Sequence, residues 1–246
     1  MSIRVTITKN TIIAHNIHKI EATVDSSTPL QFEAGQFTMV NIPTQLGSRT
    51  SKSDFQVETV PRAFSFGNSN NDPHNIIWYV KILEDKATGP HYASPYFKNC
   101  KAGDELAFDV PNGRMTLPDE LPKKIVYIAT TTGIAPFLSH LHKIADTSPQ
   151  QNVEVIFGCR NKEDIFAQEE LINLSSQLPN LTHTTSLSKP PDDWDGAKGR
   201  TTEHLSNIDN NALIYLCGNK HMIIDARKKL LKQNHNPQKI KFEIFY

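Results

Sequence analysis

The run Arg62-Ala63-Phe64-Ser65 places a cation, an aromatic ring and a hydroxyl within four residues. If this run is a β-strand, positions 62 and 64 point to one face and position 65 points to the other. A flavin dinucleotide needs such contacts, because it carries an anionic pyrophosphate, a flat isoalloxazine ring and a ring nitrogen that forms hydrogen bonds. The alternative is an amphipathic edge strand whose arginine binds nothing, and these four residues alone do not decide between the two.

A second candidate contact, to a phosphate, lies further along the chain. Ser94 followed by Pro95 is a favourable N-cap and first-turn pair, so we predict a helix from here to about Cys100. The start of a helix offers free N–H groups and the positive end of its dipole, which suit a phosphate. Ordinary capping explains the same residues without a ligand, so this stretch alone indicates only where a helix begins.

Polar loops follow the predicted strands of the second half of the chain. They are residues 130–133, 158–162, 186–189 and 217–220. In a parallel sheet, ligands bind at the carboxyl ends of the strands. No G-x-G-x-x-G sequence is present, so the usual dinucleotide fingerprint is missing. The pattern therefore predicts a ligand site but does not name the ligand.

Two kinds of element must position these residues. Residues 1–117 contain short strands separated by turn residues, which predicts an antiparallel six-stranded β-barrel. The predicted strands are 4–9, 16–24, 36–42, 61–66, 76–82 and 105–110. Gly35 opens the third strand, where a residue without a side chain lets another backbone come close. The polar residues 43–60 are predicted to form a loop or an added hairpin.

Residues 123–246 instead alternate strands with helices, after a short charged link. This alternation predicts an α/β domain with a parallel five-stranded sheet. The predicted strands are 125–129, 153–157, 181–187, 213–216 and 239–246, and the predicted helices are 134–145, 168–178, 202–205 and 222–233.

Length and composition limit the class of protein. A chain of 246 residues is comfortable as two domains. The 26 basic and 26 acidic residues give zero formal charge, which argues against nucleic acid or an anionic membrane as the main partner. The sequence has no apolar run near about 18 residues and no secretory leader, so we expect a soluble, cytoplasmic protein, and we expect a monomer.

The sequence also predicts no metal site. The three cysteines, Cys100, Cys159 and Cys217, lie far apart, and an all-cysteine iron–sulfur cluster needs about four thiolates. The ten histidines show no metal-binding spacing.

Together these motifs resemble the plant-type ferredoxin–NADP⁺ reductase family, most closely its bacterial ferredoxin and flavodoxin reductases. Arg62-Ala63-Phe64-Ser65 resembles the R-x-Y-S flavin motif, with Phe64 in place of tyrosine. The resemblance implies that Arg62 binds the FAD pyrophosphate, that Phe64 stacks on the isoalloxazine and that Ser65 bonds to N5. Further FAD contacts are implied for Ala63, Trp78, Val80, Tyr92, Ala93 and Ser94.

The second half carries matching motifs. The run 131–136, with Thr132 at its centre, resembles the G-T-G-x-A-P nicotinamide loop, and Cys217-Gly218-Asn219 resembles the C-G-x loop beside the nicotinamide. The ending 243–246 resembles a terminal glutamate-plus-aromatic pattern. The resemblance implies that the adenosine end of NADPH is held by Arg160, Ser188, Lys189 and Arg200.

Three positions depart from the family pattern. Phe64 lacks the tyrosine hydroxyl, which should loosen the flavin without abolishing its binding. Thr131 stands where glycine is usual, and it should crowd the nicotinamide loop. His91 stands where the second flavin loop usually begins with glycine.

The resemblance implies an FAD-dependent oxidoreductase that passes electrons between NADPH and a separate carrier such as ferredoxin or flavodoxin. Ser65, Cys217 and Glu243 are the implied catalytic residues: Ser65 bonds N5, Cys217 packs against the nicotinamide, and Glu243 relays a proton or stabilises half-reduced flavin. Tyr246 is predicted to cover the isoalloxazine opposite Phe64. Without the resemblance, Cys217 is a small core residue and Glu243 a solvated charge.

Two alternatives stay open at this point. A flavin reductase or oxygenase-reductase component would share these motifs and often uses NADH. A non-enzymatic descendant would hold FAD only as a structural ligand. NADPH is favoured because Arg160, Lys189 and Arg200 could converge on a 2′-phosphate, whereas ion pairs or solvation of these residues would leave NADH as the coenzyme.

Overall fold

The computed structural model describes residues 2–25, 29–44, 58–83 and 92–245. The described residues form a six-stranded antiparallel sheet in the first half of the chain and a six-stranded parallel sheet in the second. The predicted fold class is therefore confirmed. The domain boundaries at 117 and 123 stay predictions.

All six predicted strands of the first domain are present. They are β1 (Ser2–Ala14), β2 (Ile17–Val24), β3 (Phe37–Pro43), β4 (Thr59–Ser65), β5 (Asn75–Lys81) and β6 (Glu105–Asp109). Their order in the sheet is β4-β3-β6-β1-β2-β5. The two end strands of this order come together just past β4, where Gly67 N donates to Ile77 O over 2.9 Å. The sheet thus curls into a barrel in which β4 and β5 stay the end strands.

The barrel core is aromatic. Phe66, Trp78, Phe97 and Phe108 are each 0% exposed, and Trp78 and Phe108 pack edge to face with ring centroids 5.9 Å apart. β1 extends well beyond the predicted 4–9 because two register irregularities against β2 let one long strand bend around this core.

A short helix, α1 (Ala93–Asn99), packs on the barrel, and its start corrects one prediction. Tyr92, not Ser94, occupies the N-cap position. The Ser94 hydroxyl instead accepts a hydrogen bond of 2.9 Å from Leu83 N. A tertiary partner therefore takes the hydroxyl that was predicted to cap the helix.

The second domain is a parallel sheet covered by helices. Its strands are β7 (Lys124–Thr130), β8 (Asn152–Cys159), β9 (Leu181–Leu187), β10 (Ala197–Lys198), β11 (Leu213–Asn219) and β12 (Ile240–Phe245), in the order β10-β9-β8-β7-β11-β12. Its helices are α2 (Ala135–Thr147), α3 (Gln168–Gln177) and α4 (Lys220–Lys232). Short 3₁₀ turns are Thr131–Ile134, Lys162–Asp164, Thr201–His204 and Pro237–Lys239.

This domain differs from the sequence-based prediction in two details. The edge strand β10 makes a sixth strand, and its two residues are too few to give a hydrophobic pattern. The predicted helix at 202–205 is the single 3₁₀ turn Thr201–His204. The central strands β7 and β11 are buried on both faces, which fits their continuous apolar runs.

Three predicted features fall partly or wholly outside the described residues. These are the loop or hairpin at 43–60, the departure at His91 and the flavin cover at Tyr246. At the edge of the first of these, Thr44 N donates to Glu58 O over 3.0 Å, so the β3–β4 pairing continues one step past both strands.

Candidate active site

β4 presents the predicted flavin motif at the edge of the barrel sheet. Arg62 and Phe64 are half-buried, Ala63 is exposed and Ser65 is 4% exposed, so the side chains alternate as predicted for a strand. The Arg62 guanidinium donates to Pro61 O over 2.9 Å, and no carboxylate among the described residues pairs with it. Its charge is thus available to an anion.

Ser65 carries a polar atom that the described part of the protein does not satisfy. Its Oγ is buried and has no hydrogen-bond partner there. Leaving a buried hydroxyl unpaired costs about 1–3 kcal/mol. Beside it, the Phe64 ring is held edge-on by Phe97 at 5.2 Å between centroids and stays half-buried. An orphan hydroxyl and a supported, partly open ring at successive positions of β4 match the two contacts predicted for a flavin ring nitrogen and ring face.

Trp78 and Val80 were also predicted to contact the flavin. Both side chains lie in the barrel core, at 0% and 2% exposure, so they present no open face there, and the contact stays a prediction. Trp78 contacts the Phe64 ring from inside the barrel at 6.4 Å between centroids. Trp78 therefore packs against the inner side of the Phe64 ring.

Tyr92, Ala93 and Ser94 lie at the start of α1, where the phosphate loop was predicted. Tyr92 and Ala93 are half-buried and Ser94 is 6% exposed. The Ser94 Oγ already accepts a hydrogen bond from Leu83 N. Its hydroxyl proton is still free to be donated in a hydrogen bond to a phosphate.

The two predicted nicotinamide loops touch each other through their backbones. A Cβ added at Gly133 would lie 2.6 Å from Gly218 N, and one added at Gly218 would lie 2.7 Å from Thr130 O. Asn219 N also donates to Thr130 Oγ1 over 3.0 Å. Only glycine fits at 133 and 218, because a side chain at either position would overlap the backbone of the other loop. Both glycines are buried, so they hold the two loops in direct contact at the carboxyl ends of β7 and β11.

Thr131 and Thr132 precede Gly133 in the first of these two touching loops, whose contact at Gly133 and Gly218 we call the junction. Thr131 adopts a φ of +52°, in the left-handed region that favours glycine. The departure noted in the sequence therefore falls on a strained position, and Thr132 follows it half-buried in the 3₁₀ turn.

Cys217 and Glu243 are neighbours in register across β11 and β12. Cys217 is 0% exposed, and burial, followed by the nearby Glu243 charge, raises the pKa of its thiol well above the usual range. The neutral thiol suits a packing role and not a nucleophilic one. Burial also raises the pKa of Glu243 from 4.5 to about 7, so this carboxyl can gain or lose a proton near neutrality.

We expect the turnover rate to change around pH 7 as Glu243 titrates, and Glu243→Gln to remove that step. Glutamine resembles the protonated carboxyl and cannot release a proton. The measurement is kcat with a saturating nicotinamide coenzyme and ferricyanide across neutral pH. Glu120→Gln, an exposed carboxylate outside the site, is the control. An unchanged pH profile in Glu243→Gln would remove Glu243 from the mechanism.

The predicted adenosine contacts gather at the carboxyl ends of β8, β9 and β10. Lys189 N donates to Arg160 O over 2.8 Å and Ser188 N donates to Cys159 O over 3.1 Å, so these two loops lie side by side. Arg200 follows β10, which pairs beside β9. All four predicted residues are exposed. The nearby Asp192, Asp193 and Asp195 are exposed too, and Asp193 pairs with Lys162 at 3.1 Å.

Comparison with known proteins decides the family. Residues 127–228 match the family model of the oxidoreductase NAD-binding domain. The fold matches ferredoxin–NADP⁺ reductase of Plasmodium falciparum with a TM-score of 0.76 and 19% identity, covering 99% of this chain and 96% of that one. The chain is 30% identical over 206 residues to NADH–cytochrome b5 reductase 2 of Mus musculus, covering 72% of this chain and 74% of that protein. The chain belongs to the ferredoxin–NADP⁺ reductase family.

The chain is shorter than one of its curated relatives. It is 27% identical over 200 residues to the anthranilate 1,2-dioxygenase electron transfer component of Acinetobacter baylyi, covering 79% of this chain and 52% of that protein. The chain thus spans about half the length of that curated relative.

Among the described residues, no helix is long and apolar enough to cross a membrane.

Two features of this family member were not found from the sequence. Gly35 has a φ of +90°, and a Cβ there would overlap both Met115 O and the His140 ring. The backbone that was predicted to come close to Gly35 is therefore that of Met115. The contact with the buried His140 was not predicted, because no local sequence pattern indicates it. The second feature is a hydrogen bond from Tyr79 in the barrel to Glu170 in the α/β domain.

Proposed function

We propose that this chain is an FAD-dependent oxidoreductase that passes electrons between NAD(P)H and a one-electron carrier. The observation that carries the proposal is the buried, unpaired Ser65 hydroxyl beside the half-open Phe64 ring, in a chain whose family is established. Family membership and the glycine-only junction at 133 and 218 support coenzyme binding on the second domain.

When bound, FAD supplies the two-electron to one-electron chemistry, and the protein supplies position and protons. Arg62 pairs with the pyrophosphate, Phe64 supports one ring face, and Ser65 donates a hydrogen bond to the ring. Gly133 and Gly218 hold together the two loops against which the coenzyme lies. Glu243 holds or releases a proton near the ring, since its pKa of about 7 allows both forms.

The carrier is proposed to be a ferredoxin or flavodoxin-like protein, and NADPH the coenzyme. The adjacency of Arg160 and Lys189 supports NADPH, because a 2′-phosphate needs converging cations. A monomeric state and a cytoplasmic location stay sequence-based predictions.

The second candidate is an NADH-dependent oxygenase reductase component. It is favoured by the acidic residues Asp192, Asp193 and Asp195 beside those cations, since like charge repels a 2′-phosphate. The name of the dioxygenase electron transfer component that matches 79% of this chain points the same way.

Steady-state kinetics test both candidates. We expect NADPH and NADH both to reduce ferricyanide through the enzyme, with higher kcat/KM for NADPH. A plant-type ferredoxin and a flavodoxin then serve as protein acceptors. Equal or better kcat/KM with NADH would favour the second candidate, and no oxidation of either coenzyme with any acceptor would contradict the proposed function.

Arg62→Ala is expected to weaken FAD binding by roughly ten- to a hundredfold. A charge-assisted hydrogen bond contributes about 1.5–3 kcal/mol, and each 1.4 kcal/mol is about tenfold in affinity. The measurement is titration of the apoprotein with FAD and with FMN. Arg114→Ala, an exposed arginine outside the site, is the control. FMN binding as tightly as FAD to the unmodified protein would show that the pyrophosphate contact is absent.

A further inference from the structure

A partly buried hydrogen bond joins the barrel to the α/β domain. The Tyr79 hydroxyl on β5 donates to Glu170 Oε2 on α3 over 2.6 Å, and Glu170 Oε1 lies 3.0 Å from His142 Nε2 on α2. Tyr79 is only 6% exposed. Burial, followed by the nearby carboxylate, raises the pKa of Tyr79 well above its usual range, so the phenol keeps its proton and stays a donor.

On the barrel side, the Tyr79 ring lies against the backbone that follows the flavin motif. A Cβ added at Gly67 would lie 2.5 Å from Tyr79 Cε2, so this backbone and the ring are in direct contact. Gly67 N also donates to Ile77 O over 2.9 Å, which ties it to β5. Gly67 follows Ser65 by two residues. Tyr79 therefore supports the end of the strand that carries the predicted flavin contacts.

On the other side, Glu170 reaches the helix that starts at the nicotinamide loop. Its partner His142 lies on α2, and α2 begins directly after the 3₁₀ turn Thr131–Ile134. A helix is a rigid element, so fixing His142 fixes the direction in which that turn is presented. One carboxylate thus connects the flavin half and the nicotinamide half of the predicted site.

We propose that Tyr79 and Glu170 are positioning residues that set the approach of the flavin to the nicotinamide by fixing the two domains against each other. This inference rests on the proposed function. Hydride transfer needs the two rings in near-attack geometry, and a misplacement of about 1 Å can cost roughly a hundredfold in rate. The neighbouring contact of Asn71 with Asp146 lies between exposed residues, where water competes with it.

Three substitutions disturb the connection in different ways. Tyr79→Phe removes the hydroxyl and keeps the ring, Gly67→Ala pushes the ring away, and Glu170→Ala removes the acceptor. Glu170→Gln is the rescue variant, because its amide can accept from Tyr79 and donate to His142. Glu169→Ala is the matched control, since this exposed neighbour on α3 has no described side-chain partner.

Stopped-flow reduction of the FAD-loaded variants separates the rate of flavin reduction from coenzyme Kd. We expect the rate to fall about tenfold or more in the three disturbing variants, with Kd and FAD content unchanged, and to recover in Glu170→Gln. A merely structural role would lower the thermal midpoint and leave the rate at low temperature as in the wild type. That result would overturn the proposal.

A distance measurement tests the connection without relying on activity. Spin labels on cysteines introduced at Thr8 in the barrel and Gln177 on α3 report the domain separation, because the native cysteines are buried. We expect a broader distance distribution in Tyr79→Phe than in Glu169→Ala, and an unchanged distribution would contradict the inference. A wild-type protein that neither coenzyme reduces would contradict the proposed function, whereas the distances would still decide whether the pair fixes the domains.

Discussion

Gly218→Ala is expected to reduce flavin reduction by NAD(P)H by at least about a hundredfold while leaving FAD binding intact. The new methyl would overlap Thr130 Oγ1 and lie 2.7 Å from Thr130 O, which is backbone and cannot rotate aside. The φ of +128° adds strain for any residue with a Cβ. Relief requires the loops after β7 and β11 to separate, and that moves the surface on which the nicotinamide is proposed to lie.

Gly103→Ala is the matched control for Gly218→Ala. Gly103 also has a positive φ, +90°, but a Cβ there meets nothing within 4 Å. The control therefore carries the conformational strain without the overlap. Single-turnover reduction and apoprotein titration with FAD give the two readouts. If Gly218→Ala reduces its flavin as fast as Gly103→Ala does, the nicotinamide does not bind at this junction.

The second large effect is the loss of stability in acid caused by His140. This residue of α2 is 0% exposed and packs on Tyr127 and Tyr215, with ring centroids 5.6 and 5.1 Å away. Neither ring nitrogen has a hydrogen-bond partner of good geometry among the described residues. Burial lowers the pKa of His140 from 6.5 to about 3 despite the nearby backbone of Met115 and Ala34.

The sign of this effect follows from the direction of the pKa shift. His140 is neutral in the folded protein and titrates near pH 6.5 when unfolded, so its contribution is complete above pH 6.5 and is lost as the pH falls toward 3. The two pKa values differ by about 3.5 units, which corresponds to at most about 5 kcal/mol, of which about 2 kcal/mol is lost by pH 5. The Lys241 charge acts in the same direction as burial.

Urea unfolding of wild type and His140→Met at pH 7 and at about pH 5 measures this contribution. Methionine fills the site and does not titrate, so we expect the variant to lose less stability on acidification by about 2 kcal/mol. Other groups that titrate cancel in the comparison. His221→Met, at an exposed position, should lose as much as the wild type. Equal losses in all three proteins would show that His140 is not buried as described.

The sequence was a good guide wherever local pattern determines structure. The alternation of Arg62 to Ser65 predicted a strand, and β4 confirms it. The same period of two places Trp78 and Val80 on the face of β5 that packs in the barrel core. It places Tyr79 on the opposite face, which points away from the barrel core. The family resemblance had assigned Trp78 and Val80 to the flavin.

What the sequence could not show depends on residues that are distant in the chain. The Ser94 hydroxyl bonds Leu83 N instead of capping α1, because the fold brings that backbone group close. His140 meets Gly35, and Tyr79 meets Glu170, only after the two domains pack. Hydrophobic periodicity carries no information about such pairs.

The most direct test of the proposed function is anaerobic reduction of the purified chain. We predict a yellow protein with one FAD per chain that bleaches when NADPH or NADH is added under argon and recovers its colour with ferricyanide. A protein that binds no FAD would contradict the account. So would an FAD-loaded protein that dithionite bleaches and neither coenzyme does.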